Sequence, residues 1–149
     1  MLIDPAILDA LRWPLEAVAL LGLIGLGLLI ATSYGRVPER VPHHFGITGR
    51  ADRHGGRWIL PLMGAIALAM YAVMSVSGGT MGLLTGSAAE KPGEAFMLAW
   101  MKAVLMLLLG HCVRSMIRVA RGEAERMNVI VLWVLIALSL APVVAGVAK

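Results

Sequence analysis

Four apolar blocks, each about twenty residues long, constrain this chain more than any other feature. They run from Leu15 to Tyr34, from Trp58 to about Gly78, from about Ala95 to Val113, and from about Asn128 to Val147. The second and fourth carry no charge. The first has only Glu16, at its edge, and the third has Lys102 and His111. A helix rises about 1.5 Å per residue, so a block of this length spans a hydrocarbon layer of about 30 Å. A soluble core helix is seldom apolar on every face. In lipid each backbone amide must bond within its own segment, which selects helices, and no stretch alternates as a barrel strand does. The expected fold is an all-α membrane protein with four transmembrane helices. A long structured loop joins helices one and two, and residues 1–149 form a single domain.

Composition agrees. Of 149 residues 59% are hydrophobic and 15% charged, against about 45–50% and about 25% in soluble domains. This excludes a disordered chain and an ordinary soluble enzyme. A single cysteine excludes an internal disulfide framework.

The basic residues set an orientation. Arg36, Arg40, Arg50, Arg53 and Arg57 lie in the first connection, and Arg114, Arg118, Arg121 and Arg126 in the third. Only Arg12, Lys91 and Lys149 lie opposite. Nine against three places both Arg-rich connections in the cytoplasm and both termini outside the inner membrane. The basic rim (Arg40, Arg50, Arg53, Arg57, Arg114, Arg118, Arg121) then meets anionic headgroups of the bilayer. Without stacking aromatics or a nucleic-acid fold, it does not call for nucleic acid.

Ahead of the first block, Asp4 and Pro5 make a helix start. Ile7, Leu8 and Leu11 share one face up to Trp13 and Pro14, which suggests either a short interfacial helix anchored by Trp13 or a frayed end. Gly22, Gly25 and Gly27 on helix one, and Ala65, Ala69 and Ala72 on helix two, suggest that these two helices pair through small residues.

The first connection, Gly35 to Arg57, is too long for a plain linker. It holds Pro38 and Pro42, Gly46, Gly49, Gly55 and Gly56, and His43, His44, Asp52 and His54. Imidazole and carboxylate suit a borderline metal ion, but the spacing fits no strong metal signature. Alternatively, His44 and Asp52 hydrogen-bond across the loop while Phe45 tucks between helix ends. No nucleophile elbow accompanies the His and Asp, so catalysis and cofactors are not expected. Lys102, seven or eight positions inside the third block, marks either a functional or paired interior group or one that snorkels to the interface. Glu94, two turns away, would strain to reach it.

The pattern Pro38-x-Arg40-Val41-Pro42-x-His44-Phe45, followed by Gly49, Asp52, Gly55 or Gly56, and Arg57-Trp58, resembles the motif of the DUF1648 domain. That resemblance implies membrane helices flanking the loop, and a motif carried here by Pro42, His44, Phe45, Gly49 and Asp52. The domain forms the N-terminal part of SdpI-type immunity and signalling proteins. The second SdpI-type segment, with its Gly-x-Arg-Thr-Pro loop, does not occur in this sequence. The resemblance implies a non-enzymatic protein that binds a partner, a toxin peptide or another membrane subunit, through the loop and Lys102. The other readings are an accessory subunit of a larger membrane complex and a metal-binding or transport role.

Overall fold

The computed structural model describes residues 4–76 and 92–144. The expected block ends at Gly78 and Val147, and the positions of Lys91 and Lys149, lie outside these. Four helices and one two-stranded sheet make up the described chain: α1 (Pro5–Ser33), β1 (Arg40–Phe45), β2 (Ala51–Gly56), α2 (Ile59–Ser75), α3 (Pro92–Ala120) and α4 (Val129–Val144). A 3-10 turn, Tyr34–Arg36, follows α1. Two helices, α1 and α3, are long and apolar enough to cross a membrane, while α2 and α4 are shorter and apolar.

α1 begins where Asp4 accepts a hydrogen bond from the Ala6 amide at 2.9 Å. The short separate helix expected before Pro14 does not occur, because α1 runs on through that proline. Leu8 explains the continuity: it is buried against Phe96 beside Leu15 and Trp100. That burial docks the first turns on α3 and outweighs the one backbone bond Pro14 removes.

α1 and α3 pack in parallel. Leu8 meets Phe96, Glu16 meets Lys102, and Gly22 meets Met106 in turn. At Gly22 a Cβ would lie 3.0 Å from the Met106 Cβ, so the missing side chain sets the close approach. The small-residue pairing expected between helices one and two is therefore corrected. Gly22 faces α3, and Ala65, Ala69 and Ala72 are exposed. α2 instead touches α1 near Gly64 and Ile30.

α3 continues seven residues beyond the expected end at Val113. Its inner face stays apolar there: Met116 and Ile117 are buried in one cluster with Val113, Val37 and Val41, and Ala120 packs against it. Arg114 and Arg118 occupy the outer face of the same turns, so charge does not stop the helix.

The all-α expectation needs one amendment, since the first connection contains an antiparallel hairpin. Gly46 and Gly49 close its turn, the Gly49 amide donating to the Gly46 carbonyl at 2.8 Å. Pro42 is tolerated because a two-stranded sheet consists only of edges.

Candidate functional site

The hairpin is docked on the bundle at its base and at its tip. Val41 and Pro42 of β1 are fully buried, and Phe45 is half-buried against the core that the last turns of α3 provide. At the tip the Met127 amide donates to the Gly49 carbonyl at 2.8 Å, and Arg50 bridges to Arg126. Gly49 has φ +78°, and a Cβ there would stand 2.3 Å from the Met127 carbonyl oxygen. Only glycine meets both demands. The two Arg-rich connections thus lie at the same end of the bundle, joined backbone to backbone.

Bulges shape the other face. Pro42 pairs with His54, His44 with Arg53, and Phe45 with Ala51, which leaves His43 and Asp52 without partners in the register. A bulge re-aims side chains. Here it brings His44 Nδ1 to 2.6 Å from Asp52 Oδ1, with the ring N–H donating to the carboxylate. Both side chains are about half exposed, 58% and 51%. The His44 hydrogen bond is the main cause holding the Asp52 carboxyl below its ordinary value; desolvation opposes it, and the charges of His44 and Arg53 and a backbone hydrogen bond add smaller pulls downward. His43, Arg53 and His54 are also exposed. Among the described residues no three His, Cys, Asp or Glu side chains converge as metal ligands would.

The motif residues therefore divide by task. Pro42, Phe45 and Gly49 build and anchor the hairpin, whereas His44 and Asp52 are presented to solvent. The basic rim residues Arg40, Arg50, Arg53, Arg57, Arg114, Arg118 and Arg121 are all exposed at this end, with Arg121 paired to Glu123 at 3.0 Å.

Lys102 belongs to a separate cluster at the other end. Its ammonium lies 2.6 Å from both carboxylate oxygens of Glu16, 3.3 Å from Ser75 Oγ and 5.5 Å from the centre of the Tyr71 ring. Its side chain is 5% exposed, so it pairs inside the bundle and does not snorkel. A lysine and a glutamate drawn from two apolar helices satisfy each other where water is scarce. Glu16, read as an edge residue, was the missing partner. The available signal was charge matching alone, because the first block holds one carboxylate and the third one ammonium, while their unequal depths in the two blocks pointed away from a pair. Ser75 and Tyr71 carried no comparable signal.

Residues 20–69 match the family model described as a domain of unknown function, DUF1648. The chain carries a DUF1648 domain. The matched segment runs from the middle of α1 through the hairpin into α2, so the docked hairpin lies wholly inside it and α3 and α4 lie beyond it. Nothing among curated proteins or solved structures matches the chain.

Proposed function

We propose that this DUF1648 protein is a multi-pass protein of a bacterial inner membrane. In this reading its hairpin recognises a partner on the cytoplasmic face, as an SdpI-type immunity or signalling module would. The membrane part of the reading draws on exposure. Only 17% of the most apolar window of α1 and 39% of that of α3 is buried, where the core helix of a soluble protein would be mostly covered. Trp13 near one end of α1 is 67% exposed, and Tyr34 follows its other end. They stand about 32 Å apart along the axis, close to the hydrocarbon thickness. Trp58 and Trp133, both exposed, lie towards the hairpin end.

One observation carries the recognition reading. The hairpin spends its inner face on the bundle and leaves a pre-paired His44 and Asp52, flanked by His43, Arg53 and His54, open to water. A rigidly supported surface of donors and charges suits binding. It suits catalysis poorly, because nothing shields the pair from bulk water.

A photo-crosslinking residue at His54, in inside-out membrane vesicles from the native host, tests this reading. The expected result is a discrete protein adduct that weakens in a His44→Ala background. Labelling of lipid alone, or an adduct indifferent to His44, would contradict recognition by the hairpin.

A further inference from the structure

We infer that the outer groove between α1 and α2 holds one acyl chain of an anionic phospholipid whose phosphate is bound by Arg57 at the groove's hairpin end. The inference rests on the membrane reading above and adds a lipid class to it. An open groove of about 360 Å³ runs between the helices, lined by Leu26, Gly27 and Ile30 of α1 and by Pro61, Gly64 and Leu68 of α2. Its wall is almost wholly apolar, and Gly27 leaves open space above its Cα.

Chain direction brings two residues to the mouth. Arg57 stands in the turn just before α2, its carbonyl accepting from the Leu60 amide at 3.1 Å, and so precedes Pro61 at the hairpin end of the groove's α2 wall. Tyr34, the C-cap of α1, follows Gly27, Ile30 and Ala31 at helical spacing at the same end of the α1 wall. These two capping residues are already in contact, with the Arg57 guanidinium 5.1 Å from the Tyr34 ring centre. A guanidinium held over a ring by a cation–π contact spends none of its N–H donors on it, and those donors match phosphate oxygens.

Charge complementarity favours an anion. Among the described residues the ion pairs are His44–Asp52, Lys102–Glu16 and Arg121–Glu123, so no carboxylate neutralises Arg57. The nearest acid along the hairpin is Glu39, whose carbonyl accepts from the Arg57 amide and whose side chain forms none of these pairs. Arg36, exposed in the turn after α1, adds a second positive charge close to the mouth.

The test is native mass spectrometry of the full chain released from nanodiscs. These contain equal phosphatidylglycerol and phosphatidylcholine with identical acyl chains. The wild type is expected to retain one phosphatidylglycerol in preference to phosphatidylcholine. Arg57→Gln should lower that preference about fivefold without lowering total lipid retained. Gly27→Leu, which fills the groove, should lose both lipids, and Ala31→Leu on the same wall serves as a second filler. Equal retention of the two lipids by the wild type, or no effect of Arg57→Gln, overturns the inference. So does a dimer that only the fillers dissociate, which would make the groove a contact between two copies. Failure of the wild type to incorporate into nanodiscs would overturn the membrane reading itself, whereas incorporation without preference overturns this inference alone.

Discussion

The indole N–H of Trp100 donates to the Leu138 carbonyl at 2.8 Å, supplying the bond that Pro142 cannot. Proline at position 142 has no amide hydrogen for the acceptor four residues earlier. In an apolar surrounding that carbonyl needs another donor, and α3 brings one. Trp100→Phe should destabilise the protein by about 0.6–1.7 kcal/mol, the range for interhelical hydrogen bonds in membranes. In a Pro142→Ala background, where the helix supplies its own donor, the same change should cost markedly less. Unfolding in mixed micelles, run as a double-mutant cycle, measures the coupling.

Lys102 and Glu16 should behave as one unit. Lys102→Met alone leaves a carboxylate in the bundle and should cost about 3 kcal/mol. Lys102→Met combined with Glu16→Leu removes both charges and should recover most of that loss. Thermal unfolding in detergent compares the three proteins. A double variant as unstable as the single one would show that the pair does not act as a unit.

Gly49→Ala meets a left-handed φ and the Met127 carbonyl at once. It should cost about 2–3 kcal/mol through backbone strain and the lost tip bond. Its sign should appear locally, as faster tryptic cleavage at Arg50 and Arg53. Gly25→Ala, with nothing within 4 Å of the added carbon, should leave cleavage unchanged.

The His44–Asp52 link has a definite pH sense. The Asp52 carboxyl titrates below its ordinary 3.8 in the folded chain. The link is therefore complete above that value and is lost as pH falls through the lower folded value. Carbon NMR of the Asp52 carboxyl should show a midpoint below 3.8, and His44→Ala should return it towards 3.8.

The helices were legible from block length and the absence of charge, since both report the surrounding solvent directly. Their ends were not. Pro14 resembled a stop until Leu8 found a buried seat on α3, and the arginines after Val113 masked an inner face that Met116 and Ile117 keep apolar. The hairpin was hidden because Arg40–Phe45 lacks a period-two alternation and contains a proline. Its fold depends on docking to α3 and Met127, which lie about seventy residues or more away in sequence. His44 with Asp52 was one of the readings the spacing left open. Glu16 as the partner of Lys102 required the parallel register of α1 and α3, a property of packing and not of either segment.

The central claim is that apolar helices cross a membrane and hold the hairpin and the α3–α4 connection on its inner side. Its most direct measurement is labelling by a membrane-impermeant maleimide in spheroplasts. The variants carry single cysteines, Asp9→Cys, His54→Cys or Glu123→Cys, on a Cys112→Ser background. Position 9 should label in intact spheroplasts, and positions 54 and 123 only after the membrane is opened. Labelling of 54 and 123 from opposite sides, or of either from outside, would contradict the account.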